Sequence, residues 1–279
     1  MDRSLVILVL VAGCGPPSTP AGDGTVIGST SVAIDTRSTA TRVGEAPVGD
    51  FIADTLLAAT RARGGDATVA LVNSGAIRGG RTTRDAVPVD IDAKLGRVYG
   101  PGALTDHDVE GWIPFRDDHI IITVTAAQLK SALERGAAQL PPDLLLDGGG
   151  PLLQIAGARY TIDCSGMVQI IVPGLDVVAQ EGTRISRLEI GGRVVWDRDA
   201  GIDELATTDV RLVVNTFVSD GFDGHIALTE GRDAEELPYD AFNIADELVA
   251  RVMATSPIAP TMDGRITIVG DCGQPLTLP

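Results

Sequence analysis

Asn73-Ser74-Gly75-Ala76-Ile77-Arg78 gathers an amide, a permissive backbone and a guanidinium within a few residues. Those are the groups that binding a polar heterocycle and an anion requires: asparagine offers donor and acceptor together, glycine lets the backbone approach, and the arginine fork matches two phosphate oxygens. Asn215-Thr216-Phe217-Val218-Ser219-Asp220-Gly221-Phe222-Asp223-Gly224-His225 adds an aromatic face and a carboxylate. Phe217 could stack on a base, and Asp223 could accept from a pair of ribose hydroxyls. A third segment, Trp112-Ile113-Pro114-Phe115-Arg116, holds Phe115 after a rigid proline. Each string also has a plainer reading, because Asn and Gly form ordinary turns and phenylalanines fill cores. The histidines are His107, His119 and His225. Asp106-His107-Asp108, together with His119 after Asp117-Asp118, could make a small acidic metal patch, but solvated loop charge is the preferred reading.

These strings need elements to present them. The spacing of Phe51, Leu56 and several alanines predicts a helix over Val48 to Arg63, and the short β-rich run Ala67 to Val72 predicts a buried strand that delivers Asn73 at its end. A strand over Ile120 to Thr125 leads into a helix over Ala126 to Gly136, with Arg135 as the terminal cation and Gly136 as the closing glycine. Further strands are expected at Leu153 to Ala156, Arg159 to Asp163, Ser186 to Ile190, Arg193 to Trp196, Val210 to Asn215 and Arg265 to Val269, with a closing helix at Asp240 to Met253. The sum is a mixed α/β domain with mixed strand directions, since helices do not separate every strand pair. Both the Asn73 and the Asn215 strings follow strands directly, where sheets of this kind present ligand-binding loops.

Composition narrows the partners. With 279 residues and 44% hydrophobic content the chain can bury a substantial core. A net charge of −16 repels nucleic acid at long range, so no nucleic-acid partner is expected. A small anion remains compatible, because a few arginines converging on one pocket reverse the potential locally. Residues 1–14 have the layout of an exported leader: Arg3, the apolar run Leu5 to Leu10, then Val11-Ala12-Gly13-Cys14. Small residues before a cysteine resemble the lipobox of bacterial lipoproteins, which implies lipidation of Cys14 and a membrane partner through that anchor. Residues 15–27 read as a tether, and 28–279 as one domain. Cys164 and Cys272 remain, and in an oxidising compartment they either pair or stay as two free thiols; sequence gives no Cα separation to decide.

Taken in order, the motifs resemble the C-terminal, substrate-selecting domain of 5′-nucleotidases. The matching segments are Arg42, Gly49 to Asp54, Asn73 to Arg78, Pro114-Phe115, Val124 to Glu134, Leu153 to Gly157, Asn215 to Gly224 and Asp263 to Ile266. The resemblance implies a base held between Phe115 and Phe217, ribose hydroxyls on Asp223, base contact by Asn73, and phosphate contact by Arg78 and Arg42. Phe222 departs from the pattern where a second glycine is usual, His225 where an aromatic is usual, and Ala76 where a glycine is usual. A bulky Phe222 is therefore expected to reshape the ribose end or to strain the backbone.

In the same family a two-metal centre in a separate N-terminal domain cleaves the phosphate, through histidine-rich motifs that this sequence does not contain. The expectation is thus a recognition domain for nucleotides, nucleosides or phosphorylated sugars, with no cofactor of its own. Divalent metal would enter only with a separate metallophosphatase partner. Two other readings stay open: a phosphoester hydrolase in its own right, and a vestigial pocket with a structural or adhesion role.

Overall fold

A computed structural model describes residues 24–79, 96–142, 148–172 and 175–273. The leader, Cys14 and the tether up to residue 23 lie outside the described residues. The first strands are β1 (Val26–Thr30), β2 (Ile34–Asp35), β3 (Val69–Asn73), β4 (Val98–Tyr99), β5 (Gly102–Thr105) and β6 (His119–Thr125). They are followed by β7 (Leu153–Ala156), β8 (Ala158–Asp163), β9 (Ile170–Val172), β10 (Val177–Gln180), β11 (Ile185–Ile190) and β12 (Arg193–Asp197). The last are β13 (Ile202–Asp203), β14 (Asp209–Asn215), β15 (Arg232–Leu237) and β16 (Ile266–Val269). The α-helices are α1 (Ser38–Thr41), α2 (Pro47–Ala62), α3 (Asp106–Glu110), α4 (Ala126–Ala137), α5 (Thr216–Ser219) and α6 (Ile244–Thr255). Among the described residues, no helix is long and apolar enough to cross a membrane.

The architecture is mixed α/β. Its central sheet runs β15-β6-β14-β3-β7, with β14 and β3 parallel and the other pairs antiparallel. Ala70, Val72, Ile121 and Val213 point to one face and pack with α2, α6 and Trp112, while Val69, Leu71, Ile122, Val124, Leu212 and Val214 pack on the other with α4 and a second sheet. Burial on both faces is why these strands read as continuous apolar runs rather than as an alternation. The second sheet runs β13-β12-β11-β8-β16, with β8 and β16 parallel. Cys164, just after β8, is disulfide-bonded to Cys272, just after β16, with Cα atoms 5.0 Å apart.

Buried charge ties these layers together. Glu134 of α4 is 1% exposed; it accepts from Lys130 Nζ at 2.7 Å and from the backbone N–H groups of Arg184 and Ile185 at 2.9 Å, fixing α4 to the start of β11. On the opposite side, Arg265 pairs with Asp54 at 2.8 Å, Asp263 at 2.9 Å and the buried Asp50 at 3.4 Å. Burial, only partly offset by Arg265, pushes the Asp50 carboxyl up to about 8.

Several expectations are corrected. Gly136 does not end α4, which continues to Ala137; a Cβ on Gly136 would lie 2.9 Å from Leu152 Cα, so the glycine serves a close approach of helix to chain. The closing helix begins at Ile244 rather than Asp240, because the Asn243 side chain accepts from Ala245 N and caps it. Val26 and Ile27, read as the end of the tether, belong to β1, which pairs with β5 and packs Ile27 on the core. The Asp106-Asp108 and His119 segments are not solvated loop charge either. Asp108 is buried in a capping box with Thr105 and pairs with Arg97 at 2.8 Å; His119 is buried edge-on to Phe242, and desolvation pulls its imidazole down to about 4.

Candidate functional site

The topology brings one set of strand ends to one edge of the central sheet. β3 and β14 are parallel and end at Asn73 and Asn215; β6 is antiparallel to β14 with His119 opposite Asn215, and β7 is antiparallel to β3 with Leu153 opposite Asn73. The turns after Asn73 and Asn215 and the segments before His119 and Leu153 therefore meet there. Backbone bonds fasten them: Ser74 N to Leu152 O at 2.7 Å, Gly75 N to Gly150 O at 2.9 Å, and Thr216 N to Asp118 O at 2.9 Å. The Asn215 side chain accepts from Val218 N at 3.1 Å, starting α5 and setting Phe217 in its first turn.

At this edge lies a cavity of about 270 Å³ lined by Arg42, Asn73, Gly75, Ala76, Arg78, Phe115, Asp117, Gly150, Asn215, Phe217 and Asp223. The structure thus brings together all of Arg42, Asn73, Arg78, Phe115, Phe217 and Asp223, residues separated by as much as 181 positions in the chain. Gln154, fully buried, positions part of this set. Its Nε2 donates to Thr41 O, Gly44 O and Ser74 Oγ, and its Oε1 accepts from Ala46 N, so a single amide locks the Arg42 segment to the Asn73 turn. Gly49 leaves room for that amide, since a Cβ there would sit 2.6 Å from Gln154 Cδ.

Two ends of the cavity differ in character. At one, Asp223 accepts from Asn73 Nδ2 at 3.3 Å and is acted on by the charges of Arg135, Arg42 and Arg78; burial nevertheless lifts its carboxyl above the usual range. Arg42 is 1% exposed and donates to Gly148 O at 3.1 Å. Arg78 stacks its guanidinium over Phe115, 5.5 Å from the ring centroid. At the other end are Phe115, Asp117 and Asn215, where burial and then the neighbouring Asp118 raise the Asp117 carboxyl, partly opposed by the Asn215 hydrogen bond.

Phe222 neither fills the cavity nor strains the chain. It stands outside the lining, is 57% exposed, and stacks on Phe217 with centroids 4.9 Å apart and planes 17° off parallel. The left-handed backbone that glycine favours falls instead on Gly221 (φ 87°), Asp223 (φ 57°) and Gly224 (φ 86°). Asp is among the few residues that tolerate that region. His225 is fully buried beneath this loop, and desolvation together with Arg135 pulls its imidazole down to about 3, so it is neutral there.

Sequence reasoning missed Arg135, which reaches from α4 to donate its Nε to Asp223 O at 2.7 Å, and Asp117. A cation in the last turn of a helix gives no signal that it clamps a remote loop. The one carboxylate cluster among the described residues close enough for a shared cation is Glu45, Asp50 and Asp263, which contains no histidine. Glu45 there already accepts from the backbone N–H groups of Asp263, Gly264 and Ile266, and Arg265 pairs with Asp50 and Asp263. That donor set does not fit a hydrolytic two-metal centre.

The family model described as 5′-nucleotidase, C-terminal domain, matches residues 26–230. The trifunctional nucleotide phosphoesterase protein YfkN of Bacillus subtilis is 28% identical over 244 residues, covering 86% of this chain and 14% of that protein. The crystal structure of a 5′-nucleotidase precursor from Thermus thermophilus superposes with a TM-score of 0.64 at 22% identity, covering 88% of this chain and 40% of that one. The NAD nucleotidase of Haemophilus influenzae superposes at 0.56 with 17% identity, covering 88% and 38%. The chain therefore spans well under half the length of each of these proteins, and the two structural likenesses speak to the fold alone.

Proposed function

The chain belongs to the family of 5′-nucleotidase C-terminal domains, and on that premise we propose that it is a nucleotide-recognition domain. The observation that carries this reading is the single cavity that unites two phenylalanine rings, a carboxylate and two arginines. A flat heterocycle takes the rings, ribose hydroxyls donate to Asp223, and the 5′-phosphate takes the guanidinium groups of Arg42 and Arg78. The volume suits a mononucleotide better than a polymer, and the two arginines in the lining give a small anion its partners within an otherwise acidic chain. A cavity clear of Phe222 supports a working pocket over a vestigial one.

Phosphoester cleavage falls to a metallophosphatase unit with its own divalent metals, which acts on nucleotides this domain presents. The leader and Cys14 direct the domain out of the cytoplasm and anchor it by lipid. Such a role belongs to extracytoplasmic nucleotide catabolism.

Isothermal titration of the folded, lipid-free protein with AMP, adenosine and UDP-glucose tests the recognition claim. Micromolar to millimolar binding that disappears in a Phe217→Ala, Asp223→Ala double variant is expected. No binding at millimolar ligand, or binding that survives both changes, rules it out.

A further inference from the structure

Asp117 has no role in the motif pattern that identifies the site, yet it lines the cavity at its aromatic end. It also lines a second, smaller space of about 20 Å³ behind Phe115, walled by Leu56, Leu71, Val72 and Ile113; Ala76, Phe115, Asp117 and Asn215 are common to both. The carboxylate therefore sits beside Phe115, backed by those apolar side chains and the buried His119. The Arg42, Arg78 and Arg135 charges bear instead on Asp223.

The hydrogen-bonding polarity of this end is fixed by its neighbours. Asn215 Oδ1 already accepts from Val218 N, so it is Nδ2 that faces Asp117, at 3.4 Å. Among the described residues that long bond is the one hydrogen bond to this carboxylate. Asn73 donates its Nδ2 to Asp223, which leaves Oδ1 as a buried acceptor with no partner on a residue only 4% exposed. An unpartnered acceptor lining a cavity carries a desolvation cost that a ligand donor removes. Asn73 Oδ1 and the Asp117 carboxylate, both on side chains that line the cavity, are thus acceptors.

We propose that Asp117 is a specificity-determining residue that reads the adjoining ring N–H and exocyclic amine of a guanine-type base; the inference rests on the nucleotide reading of the cavity. A carboxylate presents two oxygens in one plane and pairs best with two parallel donors, as it does with a guanidinium. Guanine has that edge. Adenine and cytosine set a ring acceptor beside their amine, against the carboxylate, and hypoxanthine and uracil offer a single N–H beside a carbonyl. Partial desolvation of Asp117 strengthens such charge-assisted bonds.

The test is titration calorimetry of the intact exported chain with GMP, IMP and AMP, repeated on Asp117→Asn after a thermal melt confirms folding. The wild type is expected to bind GMP about tenfold or more tighter than IMP and AMP, the range a good bidentate pair supplies. An asparagine offers one acceptor beside one donor, which suits the adenine edge. Asp117→Asn is therefore expected to lose GMP affinity by about tenfold and to gain AMP affinity, a reversal that a purely structural residue would not produce. Equal binding of the three nucleotides by the wild type overturns the proposal without any variant. So does a parallel loss of GMP and AMP in Asp117→Asn. If that binding remains sensitive to Phe217→Ala, the nucleotide reading stands and only the role of Asp117 falls; if no nucleotide binds, both fall.

Discussion

Replacing Asp223 with asparagine tests the ribose contact while leaving one side-chain oxygen to accept from Asn73 Nδ2. Asp223 stands at φ 57°, a region that asparagine shares with aspartate but alanine resists at a cost of about 1 kcal/mol or more. The Asp223→Asn variant therefore keeps the loop, while Arg135 still donates to the backbone carbonyl at 2.7 Å. The change removes one of two acceptor oxygens and the charge that strengthens both. A hydrogen bond to a charged group contributes about 1.5–3 kcal/mol, so a nucleoside 5′-monophosphate should lose about 2 kcal/mol, roughly thirtyfold in Kd. The opposite sign is expected for the 2′,3′-dideoxy counterpart. It has no hydroxyls to lose, and removal of a carboxylate that opposes Arg42 and Arg78 leaves the cavity more attractive to phosphate. Titration calorimetry of both nucleotides against both proteins at matched ionic strength reads the difference directly. An equal loss for the ribo and dideoxy compounds would refute the assignment of Asp223 to the hydroxyls, and no loss for either would remove Asp223 from the site.

Two predictions concern the scaffold. Glu134→Ala leaves Lys130 and two buried N–H groups without their carboxylate and should destabilise the fold by about 3–5 kcal/mol, read as a lower urea midpoint; a change below about 1 kcal/mol, the size of an ordinary surface effect, contradicts the account of α4. Asp50 has a folded-state value of about 8 against 3.8 when exposed, so the folded state holds the proton more tightly. Its contribution to stability is complete below about pH 4 and is lost as pH rises towards about 8. Asp50→Asn should flatten the stability profile across that window, and an unchanged slope in urea titrations between about pH 5 and pH 8 refutes the assignment.

The parts of the fold legible in the sequence are those buried on both faces. β3, β6, β7 and β14 show as apolar runs because α2 and α6 cover one side of the sheet while α4 and the second sheet cover the other. β15 reads Arg-Asp-Ala-Glu-Glu-Leu and escapes notice, because this edge strand is exposed over almost its whole length and has no apolar period to betray it. β1 and β5 are short, glycine-containing strands that pair across more than seventy positions of sequence, a relation no local pattern encodes. In the site, side chains carried by recognisable strand-end motifs were legible: Asn73, Arg78, Phe115, Phe217 and Asp223. Gln154 and Arg135 were not. Their function is to satisfy the backbone of distant loops, and an amide in a strand or a cation in a helix looks the same whether or not it does so. Phe222 misled for a related reason, since a sequence departure shows what changed but not that the ring stays out of the cavity lining and stacks on Phe217.

The most direct test of the central claim is a crystal structure of the protein grown with a saturating nucleoside 5′-monophosphate. The account predicts the base between Phe115 and Phe217, the ribose hydroxyls within hydrogen-bond distance of Asp223, and the phosphate against Arg42 and Arg78. A nucleotide bound anywhere else, or a cavity that excludes it at millimolar concentration, contradicts the account.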